Sequence, residues 1–244
     1  MPLVDVTITA VKRPKLLERT LESFWDKCFG LSHNQFRAVI NVDPVGEPGA
    51  AEETVDVCRE YFKEVIWRCP KVASFGHAFV WVWSKAVTPF IFHLEDDWEL
   101  TRTIDFDRMI AIMENNTNLA LLRLPAFPTA AETAKQWNVF YPWNGTFFEC
   151  PIEQRAATGF AGHPSLIRTL FARQALLFLE VGKNPEKQFH YRSDLKDLAL
   201  KWRFGVYSNQ SSPAAIVDIG RDWIKDQPWK KAGDKSFFTH WEAR

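Results

Sequence analysis

The first half of this chain alternates short apolar runs with segments whose apolar residues recur every three or four positions. Strand followed by helix, repeated, is the pattern of a mainly parallel sheet covered by its crossover helices. The opening strand runs roughly from Val4 to Val11 and ends at Lys12-Arg13-Pro14. Proline suits the first turn of a helix, and Leu16, Leu17, Thr20, Leu21, Phe24 and Trp25 then follow at helical spacing. A second strand reads from Phe36 to Val42 and is stopped by Asp43-Pro44-Val45-Gly46. A helix from Ala51 to Phe62, a short strand from Glu64 to Arg68 and a helix carrying Phe75, Ala78, Phe79, Val82, Trp83 and Ala86 on one face complete this part.

The next strand ends in charge. Phe90 to Leu100 reads Phe-Ile-Phe-His-Leu-Glu-Asp-Asp-Trp-Glu-Leu, so an apolar run delivers Glu95, Asp96 and Asp97 together. Adjacent carboxylates repel one another unless a counter-charge joins them, and hard oxygen ligands favour Mg²⁺ or Mn²⁺ over zinc. A solvated acidic turn, or the acidic first turn of a helix, is the competing reading.

In open α/β sheets, ligands bind beyond the carboxyl ends of the strands, and Arg13, Asp43 and Asp97 all leave such ends. A nucleotide suits that arrangement. Asp43 would accept hydrogen bonds from a ribose or base, Lys12 or Arg13 would approach phosphate, and a cation at Asp97 would bridge a diphosphate. An Asx-type turn before Pro44 and an ordinary ion pair for Arg13 remain the alternatives.

At 244 residues the chain suits one elaborated α/β domain and is short for two nucleotide-binding domains. Lysine plus arginine equals aspartate plus glutamate at 30 each, which leaves no overall basic field for nucleic acid or an acidic membrane. Cys28, Cys58, Cys69 and Cys150 are scattered without a C-x-x-C pair, arguing against a zinc site or disulfide framework and for a reducing setting. The N-terminus lacks the basic start and long apolar stretch of a signal peptide, and no run approaches the ~20 apolar residues of a membrane span. The expectation is a soluble, cytoplasmic protein.

Further along, Phe106, Met109, Ile110 and Met113 build a helix, and Leu119 to Leu124 a strand. The segment from Pro125 to Phe148 offers Trp137, Tyr141, Trp143 and Phe147, whose flat faces suit sugar rings or bases as well as core packing. Thr158 to Pro164 is a glycine-bearing passage before a helix expected from Ser165 to about Val181. Pro185 is placed to start another helix, and Trp202 to Tyr207 reads as a strand.

Taken together, these residues resemble the metal-dependent glycosyltransferases of the GT-A fold. Thr7-Ile-Thr-Ala-Val-Lys-Arg-Pro-Lys-Leu-Leu is similar to their first strand, nucleotide loop and helix. Ser74-Phe75-Gly76-His77-Ala78, the helix, Thr88-Pro89 and the strand into Glu95-Asp96-Asp97 resemble the lead into their DXD metal motif. The likeness is good over residues 1–100 and loose beyond, and E-D-D in place of D-x-D leaves the division of labour among the acids open.

The resemblance implies a single GT-A-like α/β domain over residues 1–244, with a mainly parallel central sheet flanked by helices. Residues 1–100 would form the nucleotide-sugar and metal half, and 101–244 the acceptor half. It implies a nucleoside diphosphate sugar donor held through Thr9, Ala10, Arg13, Asp43, Asp96 and Arg221. Mn²⁺ or Mg²⁺ would sit at Asp97 and Glu95, with Asp218 or His240 completing the coordination and Lys225 near the leaving diphosphate. An inverting enzyme also needs a carboxylate to take the acceptor proton, for which Glu186 and Asp194 are the candidates. Glu186 is preferred, since a residue near a helix start can face a cleft; helix-dipole and solvent-facing roles are the alternatives.

The acceptor would be a hydroxyl on a glycan, a small molecule or a modified DNA base. A nucleotidyltransferase of similar fold is the runner-up, disfavoured because Ala10 to Pro14 contains no glycine. A non-catalytic carbohydrate- or partner-binding module is the third reading.

Overall fold

A computed structural model describes residues 3–126, 141–208, 214–225, 227–233 and 238–243. At its centre lies β1 (Leu3–Lys12), whose alternate residues Val4, Val6, Ile8 and Ala10 bury into one core while Asp5, Thr7 and Thr9 are buried on the other face. Parallel to it run β2 (Gln35–Gly46), reached through α1 (Pro14–Lys27), and β4 (Phe90–Glu95), reached through α3 (Phe75–Lys85). Beyond β2, preceded by α2 (Ala51–Tyr61), β3 (Val65–Arg68) forms one edge.

The second half of the chain extends the same sheet. After α4 (Phe106–Asn115) comes β6 (Leu119–Arg123), then the edge strand β7 (Phe148–Glu149), α5 (Ile152–Thr158), β8 (Ser165–Arg168) and α6 (Thr169–Leu176). Two short helices, α7 (Pro185–Tyr191) and α8 (Ser193–Lys201), precede β9 (Arg203–Val206). The strand order is β3-β2-β1-β4-β8-β6-β9-β7, and only β8 and β7 run antiparallel to their neighbours. The carboxyl ends of β1, β2, β4, β6 and β9 therefore open on one edge.

Helices bury both faces. On one side Phe24, Phe29, Phe92 and Phe106 interlock, with the Phe29 and Phe92 rings edge to face at 5.1 Å. On the other, Phe79, Trp83, Phe160, Phe171 and Phe189 cover Ile91, Leu121 and Ile167. Within this second layer His93 is fully buried, its Nδ1 3.2 Å from Thr7 Oγ1, while Nε2 has no hydrogen-bond partner among the described residues. Burial lowers its pKa from 6.5 to about 3, so the ring is neutral.

Two sequence expectations need correction. The helix expected from Ser165 is instead β8 followed by α6, because Ser165, Leu166 and Ile167 pair on both sides, with β4 and β6, and fill the gap between them. The stop expected at Asp43 to Gly46 is continuous strand: a register shift between Val11 and Lys12 sets Lys12 opposite Gly46, whose φ of 112° a side chain would resist. Of the aromatic segment, Tyr141 and Phe147 are core residues, Trp143 packs against Phe148, and Trp137 lies outside the described residues.

Candidate active site

At the carboxyl edge the chain turns sharply after β4, and the turn is what distributes the three acids. Glu95 ends the strand, Asp96 and Asp97 form the turn, and β5 (Trp98–Leu100) begins at once. Asp96 is locked in place: its backbone N–H donates to Thr9 O at 3.2 Å and its carbonyl accepts from Thr20 Oγ1 at 3.0 Å. Its carboxylate accepts from Val11 N at 2.8 Å and from Arg13 Nε and Nη2 at 2.8 and 2.6 Å. The Asp96 carboxylate, 3% exposed, is thus an anchor for arginine.

Arg13 reaches Asp97 as well, donating from Nη2 to Oδ2 at 2.9 Å, and lies 4.9 Å from the centre of the Trp223 ring. Burial opposes its charge, but Asp96 and Asp97 more than offset this, and its pKa stands above the ordinary arginine value. Asp97 carries the opposite strain. Burial raises its pKa despite Arg13, and the nearby charges of Asp96 and Asp218 add to the rise.

Asp218 comes from β10 (Ile216–Asp218), which pairs antiparallel with β5 and sets Asp218 opposite Trp98. It accepts from Gly220 N at 3.0 Å and from Arg221 Nε at 2.7 Å. Gly220 opens α9 (Gly220–Lys225), and a Cβ there would overlap the Asp97 carboxylate and stand 2.8 Å from the Asp97 Cβ. Only glycine lets this short helix sit against the acidic turn.

Asp43, three residues before the end of β2, accepts from Asn41 Nδ2 at 2.8 Å and from Ser74 N at 2.9 Å, which ties it to the start of α3. Its pKa is raised by burial, against the pull of those hydrogen bonds. Thr9 Oγ1 is buried with no hydrogen-bond partner among the described residues.

One cleft unites these groups. It is lined by Thr9, Ala10, Arg13, Asp43, Glu95, Asp96, Asp97, Asp218 and Arg221, all assigned to the site from the sequence, and also by Phe75, Ile224 and Trp241, which were not assigned to it. Trp241 belongs to β12 (Thr239–Ala243), the partner of β11 (Trp229–Gly233). His240 is opposite Ala232 in that ladder, and its side chain lies outside the described residues. Lys225 is exposed and pairs with Asp222 at 2.7 Å, and it is not among the lining residues.

The two base candidates separate. Glu186 sits in the first turn of α7, which Gln188 fixes by accepting from Glu180 N at 2.7 Å and which Phe189 stacks on Phe160 with ring centres 4.4 Å apart. Its carboxylate accepts a hydrogen bond from Gly162 N. A Cβ on Gly162 would lie 3.0 Å from Glu186 Oε1 and 3.5 Å from Glu95 Oε1, so both carboxylates come close to the place a side chain would take there. Asp194 is instead held by the fork of Arg192 at 3.0 and 2.6 Å, which lowers its pKa.

Five carboxylates, Asp43, Glu95, Asp96, Asp97 and Asp218, line this cleft against two guanidiniums, Arg13 and Arg221. That excess suits a hard cation. Among the described residues no three acidic, His or Cys side chains converge as a metal cage. Mg²⁺-type ions are commonly held by one or two carboxylates plus substrate phosphate oxygens, and Asp97 with Asp218 fits that donor set.

Sequence comparison matches no protein-family model and no curated protein. Solved structures do match. Residues 1–349 of S. aureus TarS are similar over 91% of this chain and 61% of their own length, at a TM-score of 0.59 and 11% identity. The architecture is GT-A-like. The same TarS fragment with UDP-GlcNAc matches at a TM-score of 0.57 and 12% identity, over 89% of this chain and 58% of its own. The mannosyltransferase PcManGT from Pyrobaculum calidifontis, in complex with GDP-Man and Mn²⁺, matches at 0.53 and 11% identity, over 89% and 57%. The GT-A-like chain thus spans less than two thirds of these proteins, and at such identities the likeness establishes the fold alone. No helix among its described residues is long and apolar enough to cross a membrane.

Proposed function

We propose that this chain is a glycosyltransferase that moves a sugar from a nucleoside diphosphate sugar to an acceptor hydroxyl with the help of Mn²⁺ or Mg²⁺. The observation that carries the reading is the acid excess of the cleft at the strand ends; the half-buried Glu186 does not line that cleft but approaches Gly162 from beside it, as Glu95, which does line it, also does. An anionic diphosphate enters a cleft of net negative charge only with a cation, and Asp97 and Asp218 are the residues that would hold it. When bound, the ion supplies Lewis-acid stabilisation of the charge growing on the leaving diphosphate.

The chain's own groups do the rest. Thr9, Ala10 and Asp43 would bind the nucleoside end, where the Thr9 hydroxyl, without a hydrogen-bond partner among the described residues, could bond a donor atom, and Arg13 and Arg221 would contact the diphosphate. Glu186 would accept the proton of the acceptor hydroxyl as its oxygen bonds to the sugar carbon and the bond from that carbon to the diphosphate breaks, which inverts the centre. The Gly162 N–H orients the carboxylate for that task. Residues 1–100 would then supply most of the donor half, to which Asp218 and Arg221 are added from residues 101–244, the rest of which would form the acceptor half.

The test is nucleoside diphosphate release from UDP-, GDP- and dTDP-sugars with Mn²⁺, with Mg²⁺ and with a chelator. Metal-dependent release from one donor supports the proposal and names the donor. Pyrophosphate release would indicate the nucleotidyltransferase instead, and sugar binding without nucleotide or metal the non-catalytic module.

A further inference from the structure

We propose that Arg13 is a resident counter-cation that bars a divalent ion from Asp97 until a diphosphate arrives, so that metal and donor enter the cleft together. The inference rests on the donor reading above and adds to it an order of binding.

Arg13 makes two kinds of contact. Its fork on Asp96 is buried and permanent in character, since both donors are spent on a carboxylate that Val11 N also holds and Trp223 covers the guanidinium. Its contact with Asp97 is single, at 2.9 Å, to a carboxylate 21% exposed against 3% for Asp96. One oxygen of the proposed metal ligand is therefore already committed to an arginine N–H. A bare dication approaching Asp97 meets a fixed positive charge at contact distance in a site with restricted solvent, where like-charge repulsion is poorly screened.

A diphosphate reverses the balance. Its oxygens accept the N–H that Arg13 withdraws from Asp97, while the fork on Asp96 persists, and its negative charge offsets both the guanidinium and the incoming ion. Arg13 thus acts as a positioning residue: it keeps the acidic turn assembled in the free protein and releases Asp97 only when the donor is present. This is positive coupling between two ligands through one side chain.

The experiment measures Mn²⁺ affinity by the electron paramagnetic resonance signal of the free ion, using Mn²⁺ alone and Mn²⁺ with UDP or GDP. The wild-type protein is expected to bind Mn²⁺ about tenfold or more tightly with nucleotide than without. Arg13→Gln is expected to bind Mn²⁺ alone about tenfold or more tightly than wild type and to gain little from nucleotide. Should that variant fail to fold, Arg13→Gln combined with Asp96→Asn removes the buried pair whole and takes its place. A folded variant that binds Mn²⁺ no better than wild type overturns the role of Arg13 while nucleotide-dependent Mn²⁺ binding in wild type leaves the donor reading standing. Absence of Mn²⁺ binding in every protein, with nucleotide present, overturns both.

Discussion

His93 should make this fold sensitive to mild acid, and the size of the effect follows from its surroundings. The ring is fully buried in β4 beside Phe79, 4.8 Å between centres, with a pKa lowered from 6.5 to about 3. The unfolded chain binds a proton near the ordinary value, while the folded chain refuses it. Stability present above the unfolded pKa is therefore lost as the pH falls toward the folded one, at up to about 1.4 kcal/mol per pH unit. Between pH 7 and pH 5 the loss is about 2 kcal/mol, which lowers the unfolding midpoint of a chain this size by about 4 °C. Other acids titrate over part of that range, so the measurement is the difference from His93→Gln, which keeps a polar partner for Thr7 Oγ1. Thermal unfolding of both proteins should converge as the pH falls. Parallel curves would refute the argument and mean that the histidine is charged, or solvated, in the folded state.

Three further outcomes concern the cleft. Gly220→Ala forces either Asp97 or α9 to move and should cut kcat/KM about 10²-fold, with little change in the unfolding midpoint; an unaffected rate would show that the acidic turn tolerates displacement. Glu186→Gln should lower kcat by about 10² to 10⁴-fold while nucleotide affinity, measured by calorimetry, stays within about twofold of wild type, as a proton acceptor requires. Asp97→Ala should lower metal-dependent kcat/KM by about 10³-fold or more with the circular dichroism spectrum retained, since the residue sits in a turn at a strand end.

Much of the architecture was legible because its signals are local. The period of Leu17, Leu21 and Phe24 marks a helix, and Pro14 its start, whatever the rest of the chain does. The apolar run into Glu95-Asp96-Asp97 likewise marks a strand that must end where charge begins. Ser165 to Arg168 misled because Leu166 and Ile167 are compatible with either a helix or a strand, and the choice was made by β4 and β6 on either side.

Site residues divide along the same line. The order of Thr9, Arg13, Asp43 and the acidic cluster at strand ends is enough to bring them to one edge, because parallel strands joined by helices leave all their carboxyl ends together. No spacing could announce that Asp218 would pair opposite Trp98, that Gly220 would lie against Asp97, or that Trp223 would cover Arg13. A helix start favours Glu186 over Asp194 in the sequence, but only the fold brings Glu186 and Glu95 both close to Gly162 and gives Asp194 to Arg192. The sequence by itself determined the alternation of elements and the acidic strand end, since these follow from periodicity and charge within a few residues. The tertiary structure alone decided which of the three acids anchors an arginine through a buried fork, which takes that arginine's remaining N–H, and which distant carboxylate joins them, because those roles depend on groups brought together across more than eighty residues of chain.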